Sequence, residues 1–201
     1  MGNYWARFRK IDNHTFRFDT RIYLKEVSNP SDDDLCIGAI VGKNPGSAKP
    51  SSNSDNGLQE IALDKDNLLP NVRKIMLKAY RHCNKRIENR SYIQVLNLMY
   101  LCDKDLKQAI RRINAFPDQL ICECENKEFP FIWYVWGNDD KSLNPFKGRF
   151  SKIYATKHFY FDNSAKNVIE KAPSFSDSAR HTQGLNHDFV VPYISNLIIM
   201  D

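Results

Sequence analysis

Four short stretches of this chain combine residue types that can do chemistry. Gly42-Lys43-Asn44-Pro45-Gly46-Ser47 follows an apolar run, and such a glycine-containing loop can cradle a phosphate through its backbone N–H groups. Asn97 interrupts a second apolar run, Tyr92 to Leu98, and a buried amide needs hydrogen-bond partners. Trp136-Gly137-Asn138 closes a third such run. His181-Thr182-Gln183-Gly184-Leu185-Asn186 lies in a late polar segment. Each also has a purely structural reading. Asn-Pro-Gly marks a turn, Trp-Gly can be a core residue before a turn, and a lone histidine in a polar loop is usually on the surface.

The elements that must position these stretches follow from hydrophobic periodicity. Between Trp5 and Val27, Phe16, Phe18, Ile22 and Leu24 alternate with Arg17, Asp19, Arg21 and Lys25, which predicts a strand hairpin turning near Asn13-His14. Ser28 to Asp34 is a polar loop. Leu35 to Val41 reads as a buried parallel strand, Tyr92 to Leu98 as a second, Phe129 to Trp136 as a third and His158 to Phe161 as a fourth. Leu68, Leu69, Val72, Ile75, Met76, Ala79, Tyr80 and Cys83 recur at helical spacing, with Lys74, Lys78, Arg81, Lys85 and Arg86 on the other face. Asp105 to Phe116 is a second amphipathic helix, and Pro117 opens a further helical piece. Helical stretches are also expected around Arg149 to Lys157 and near Ala165 to Lys171. Strands alternating with helices predict an α/β fold, a three-layer αβα sandwich around a central, mostly parallel four-stranded sheet. The N-terminal β-hairpin (1–34) is expected as an extension of one domain whose α/β core is 35–201. In such sheets ligands bind at the carboxyl ends of the strands, where the first three stretches fall.

Composition sets outer bounds. The 201 residues carry 29 Lys+Arg against 24 Asp+Glu, a formal charge of +5, with 42% hydrophobic residues. That balance excludes a wholly disordered chain and permits a polyanionic partner without requiring one. The N-terminal residues lack the apolar core of a signal peptide, and no run is long enough to span a membrane, so a cytoplasmic location and no membrane partner are expected. Cys36, Cys83, Cys102, Cys122 and Cys124 are odd in number and scattered, which favours reduced core thiols; Cys122 and Cys124 alone are too few for a metal site. No metal or other cofactor is expected.

Taken in order, the four stretches resemble the uracil-DNA glycosylase superfamily. Gly42-Lys-Asn-Pro-Gly46 is similar to the G-I-N-P-G motif of its mismatch-specific uracil/thymine branch. Val95-Leu-Asn-Leu98 resembles the strand that carries a base-reading Asn, Trp133 to Gly137 the L-L-W-G strand, and His181 to Asn186 a hybrid of the H-P-S-P and N-P-S-G-L-N loops. The chain also resembles bacterial and phage domains of unknown function with a similar motif series. It departs at Thr182, where Pro is usual, and at Gln183, where a small Ser is usual. The N-terminal hairpin and the segment from Asp162 to Arg180 have no counterpart, and Asn163-Ser164 is an alternative occupant of the second catalytic loop.

The resemblance implies a DNA glycosylase that takes a deaminated or modified pyrimidine out of the stack. Asn44 would orient the attacking water, and His181 would stabilise the anion developing on the base. Asn97, with Gly42, Lys43, Pro45, Gly46, Ser47, Trp136 and Gly137, would hold the base. Lys49, Arg180, Gln183, Gly184, Leu185 and Asn186 would meet DNA, with Leu185 as the apolar wedge. Lys141, Lys147 and Arg149 would extend the DNA-facing edge. The small residues Gly46, Ser47 and Ala48 leave room for a substituted pyrimidine, including a bulky cytosine derivative of phage DNA. No lysine sits where a Schiff base would be expected, and a monomer acting on DNA is expected. Two other classes compete. One is a nucleic-acid-binding module using the basic helix face with Arg7, Arg9, Arg17 and Arg21. The other is a nucleotide or phosphate-ester enzyme built on Gly42 to Ser47, although no G-K-[ST] sequence follows.

Overall fold

The computed structural model describes residues 1–51, 57–63, 66–116, 118, 120–137 and 140–200. Their strands form one nine-stranded mixed sheet. In chain order these are β1 (Gly2–Ile11), β2 (His14–Val27), β3 (Cys36–Gly42), β4 (Lys49–Pro50), β5 (Gln59–Ala62), β6 (Tyr92–Asn97), β7 (Phe129–Tyr134), β8 (Ala155–Asp162) and β9 (Asn167–Ile169). The helices are α1 (Leu68–His82), α2 (Leu106–Ile113), α3 (Asn144–Lys147) and α4 (Val191–Met200). The spatial order is β4-β5-β1-β2-β6-β3-β7-β8-β9. Only β6–β3, β3–β7 and β7–β8 pair in parallel. The other five pairings, β1–β2, β1–β5, β2–β6, β4–β5 and β8–β9, are antiparallel.

This overturns the expected four-stranded, mostly parallel sheet between helix layers. The N-terminal hairpin is not an extension of that sheet's periphery. It turns at Asp12 and Asn13, both in left-handed backbone conformations that Asp and Asn tolerate, and β2 then pairs along β6. As an interior strand β2 is covered on both faces, so Arg17, Thr20 and Arg21 are as buried as Phe16 and Ile22. On one face α1 and α4 pack together: the buried stripe Leu69, Val72, Ile75, Met76, Ala79 and Tyr80 meets Val191, Ile194 and Ile198. Ser195 Oγ donates to the Ala79 carbonyl (3.0 Å), and Lys85 Nζ holds the Ile198 carbonyl (2.6 Å). The other face is covered by the eight-residue α2, the one-turn α3 and 3₁₀ turns rather than by a continuous helix layer.

Further expectations are corrected locally. The segment read as helical around Arg149 to Lys157 is a 3₁₀ turn, Phe150–Lys152, followed by the start of β8. Near Ala165 to Lys171 the chain forms β9 instead of a helix, with Lys166 in a left-handed turn. Helix α4 has no counterpart among the expected elements. Cys122 and Cys124 are joined in a disulfide rather than held as thiols, at the mouth of the 3₁₀ turn Glu123–Asn126; Cys36, Cys83 and Cys102 are free. Pro117 and Asn138 lie outside the described residues. Among the described residues no helix is long and apolar enough to cross a membrane.

Candidate active site

The carboxyl ends of β3, β6 and β7 lie side by side, and parallel register places Gly42 opposite Asn97. Beyond that point the loop after β3 stays zipped to the chain after β6. Leu98 N donates to the Gly42 carbonyl (2.9 Å) and Met99 N to the Lys43 carbonyl (3.0 Å). Asn44 is fixed from the same side, its Nδ2 donating to the Asp103 carbonyl at 2.6 Å. With the amide nitrogen engaged, its Oδ1 is the atom that can accept a hydrogen bond from a water. Pro45 is buried, Gly46 turns the loop in a left-handed conformation (φ +66°), and Ser47 and Lys49 are exposed.

Asn97 is 1% exposed, and neither Nδ2 nor Oδ1 has a hydrogen-bond partner. Leaving buried polar groups unmade costs about 1–3 kcal/mol each. A methyl on Gly42 would stand 3.1 Å from Asn97 Oδ1 and 3.1 Å from Leu68 Cδ2, so the amide lies under the first turn of α1 and a side chain at Gly42 would crowd both. A buried network holds the strand end from below. Arg149 Nη2 donates to the Asn97 and Leu98 carbonyls (2.9 and 3.0 Å), and its Nε pairs with Glu125 (2.8 Å), which also accepts from Tyr100 Oη (2.6 Å).

His181 reaches the site from the far segment. Ala179 bridges both Gly137 and Asp162, and Gly137 N donates to the Ala179 carbonyl (2.6 Å), which lays the following residues across the ends of β7 and β8. Gly137 has φ +89°, and a Cβ there would stand 3.4 Å from Lys43 Cε, 3.5 Å from Lys43 Nζ and 3.9 Å from His181 Cβ. Lysine and histidine therefore meet over this glycine. His181 Nδ1 accepts from Gln183 N at 3.0 Å, so the neutral ring carries its proton on Nε2. Burial, then the Lys43 charge, push the His181 pKa below the ordinary value; Asp66 opposes this and Arg180 adds to it. The ring is neutral at pH 7 and presents a donor. Asp140 is held below the usual carboxylate range by its hydrogen bonds with Ser142 and, more weakly, by Lys43 and Lys147.

Several expected roles change with the geometry. Leu185 is 7% exposed and packs in the core with α1 and α4, so it is not an exposed wedge. Trp136 is buried in the core of the opposite sheet face, against Tyr134. Lys147 is 3% exposed and holds the Phe175 carbonyl, and Arg149 is spent on the network above, so neither extends a DNA-facing edge. Arg180 is half-buried; Gln183, Gly184 and Asn186 are exposed, with Asn186 capping the turn His187–Phe189. Asn163 and Ser164 form the exposed turn into β9.

Sequence reading missed Asp66 and gave Arg17 only an outward role, in a nucleic-acid-binding module. Asp66 Oδ1 caps α1 by accepting from Leu68 N (2.9 Å), and its Oδ2 lies 3.7 Å from Arg17 Nη1. An alternating strand looks half-exposed from its pattern alone, and nothing in it signals that both faces of β2 are covered. Among the described residues no cluster of three or more His, Cys, Asp or Glu is placed to hold a metal ion. An open cleft of about 420 Å³ lies elsewhere, between the hairpin tip at Asp12 and His14 and the end of α2 at Arg111 and Phe116. Comparison with protein-family models, with curated proteins and with solved structures gives no match.

Proposed function

We propose that the chain is a monofunctional DNA glycosylase. It flips out a deaminated or modified pyrimidine, uracil-like or a substituted cytosine, and hydrolyses its N-glycosidic bond at the ends of β3, β6 and β7. The observation that carries this reading is the fully buried Asn97 amide, unpaired at both polar atoms, at the same sheet end as a water-orienting Asn44 and a neutral histidine donor. A pyrimidine edge offers donors and acceptors together, which is what an amide pairs with.

In the reaction the bond between the sugar's anomeric carbon and the base nitrogen breaks, and its electron pair leaves with the base. Water held by Asn44 Oδ1 adds to the cation-like carbon and loses a proton to solvent. A neutral amide suffices as orienter because the sugar is already cation-like. His181 Nε2–H and Lys43 Nζ supply donor and charge for the departing pyrimidine anion. Asn97 is fully buried next to Leu68, so a base reaches it only when the first turn of α1 gives way. We place the enzyme in the cytoplasm, acting on DNA as a monomer. The competing binding-module reading is weakened because two of its four hairpin arginines, Arg17 and Arg21, are buried.

The test is a panel of single strands and duplexes carrying uracil, thymine mispairs or substituted cytosines, followed by alkaline cleavage of abasic sites. The proposal expects release from at least one substrate, falling about 10²–10³-fold in His181→Ala and at least as far in Asn44→Ala. Salt-sensitive binding without abasic sites would replace the proposal with a binding module.

A further inference from the structure

Arg17 is the strangest side chain in the molecule. It is 1% exposed, and its Nε and Nη1 have no hydrogen-bond partner. The nearest carboxylate, Asp66, is 3.7 Å from Nη1, close enough for charge balance and too far for a hydrogen bond. Buried guanidinium donors are normally satisfied, and an exception of this size needs an explanation.

Its position supplies one. Arg17 N donates to the Tyr100 carbonyl (2.9 Å), so the residue lies beside the chain that continues β6 past Asn97. Its neighbour Phe16 belongs to the core under α2, and strand alternation sends Arg17 to the face covered by α1. There it meets Asp66, which caps α1 at Leu68, the residue packed over Gly42 and Asn97. Two fully buried polar side chains with unmade hydrogen bonds, one of them ion-paired to Asp66, thus lie beneath one helix turn. One arrives on β2 and the other on β6. The free thiol of Cys102 is the other titratable neighbour of Arg17.

We propose that Arg17 is a ligand-binding residue of this site, its guanidinium donating to an exocyclic oxygen of the pyrimidine that Asn97 reads. The ligand class rests on the glycosylase reading. Arginine has five donors and no acceptor, so it selects an oxygen-bearing edge, while the Asn97 amide serves a mixed one. As the glycosidic bond breaks, negative charge spreads onto the base oxygens, and a fixed guanidinium stabilises it without reorganising. Arg17 comes from the hairpin, one of the two parts of the chain with no counterpart in the superfamily resemblance.

Free uracil, with adenine as control, tests this by calorimetry on the full chain. The expected result is uracil binding in the millimolar range or tighter, weakened at least about tenfold in Arg17→Met, at a thermal midpoint equal to or above that of the unaltered protein. A merely structural Arg17 would show the reverse, a lowered midpoint with unchanged affinity. If Arg17→Met does not fold, Arg17→Lys, which keeps the charge and loses the fork, is read the same way. Unchanged uracil affinity in the folded variant, or no uracil binding by the unaltered chain, overturns the inference. Uracil binding that depends on Arg17 in a protein that releases no base from any DNA substrate would sink the glycosylase reading and leave this assignment standing.

Discussion

Arg17 and Arg21 sit four residues apart on β2, both buried almost completely, and their surroundings could hardly differ more. Every nitrogen of Arg21 is used. Nε and Nη2 take both oxygens of Asp19 (3.0 and 2.8 Å), Nη1 takes the Ser31 carbonyl (2.6 Å), Nη2 also reaches Asp32 (2.7 Å), and the guanidinium stacks over Tyr92 at 4.9 Å. Arg7 completes the cluster from β1 through Asp19 and Asp32. At the other end of the strand, Arg17 has one distant carboxylate and bare donors. The Arg21 guanidinium is finished as it stands and reads as structure, although Thr20 Oγ1 and Gln94 Oε1 beside it are unpaired. That of Arg17 is unfinished, and it is unfinished at the same sheet end where Asn97 is unpaired and where Lys43 meets His181. Satisfied polar clusters hold a fold together, whereas unsatisfied ones persist where a ligand completes them.

This contrast makes separable predictions, because removing a satisfied group should cost stability and removing an unsatisfied one should cost activity. The largest stability loss is expected from Arg149→Met. It strands Glu125 in the interior and frees the Asn97 and Leu98 carbonyls, at about 3–5 kcal/mol in urea unfolding. Leu185→Ala should cost about 2–5 kcal/mol as a core truncation, with base release per folded molecule unchanged; a selective loss of release would restore Leu185 as a wedge. Gly42→Ala should cost about 1–3 kcal/mol by crowding Asn97 and Leu68, while reducing release far more than that stability change accounts for. Asp105→Ala, which removes the α2 cap accepting from Lys107 N and Gln108 N, should cost about 1 kcal/mol. The smallest effect concerns pH. Burial holds His158, His181 and His187 below the ordinary histidine value. The unfolded chain therefore takes up protons first on acidification. Their contribution is fully present above about 6.5 and is lost as pH falls through the lowered folded values. The urea midpoint should drop between pH 7.5 and 5, and less steeply in His181→Gln.

What could be read from the sequence divides along the same line. The runs at Leu35, Tyr92, Phe129 and His158 are strands of the parallel block, and the three/four spacing from Leu68 is α1, because continuous burial and strong amphipathicity leave local signals. The sheet's full extent was hidden. Strands β4 and β9 are two and three residues long in polar surroundings, too short for any period to register, and β5 has only four. Alternation in β1 and β2 predicts a hairpin correctly but cannot tell an edge ribbon from an interior strand, since the pairing of β2 with β6 spans some seventy residues of chain. For the site, Asn44, Asn97 and His181 stood out because polar residues at apolar strand ends are conspicuous. Arg17 did not, since an arginine alternating with phenylalanines looks like an exposed face. Only the partner strand shows that it has nowhere to go but inward.

Equilibrium urea unfolding of Arg17→Met beside Arg21→Met tests the central contrast most directly. The Arg21 variant should lose about 1.5–3 kcal/mol, because Asp19 loses its two-pronged partner and keeps only Arg7. The Arg17 variant should match the unaltered protein or exceed it, since an apolar side chain removes two unmade donors. An Arg17 variant destabilised as deeply as the Arg21 variant would contradict the account and return Arg17, with its end of the sheet, to the structural scaffold.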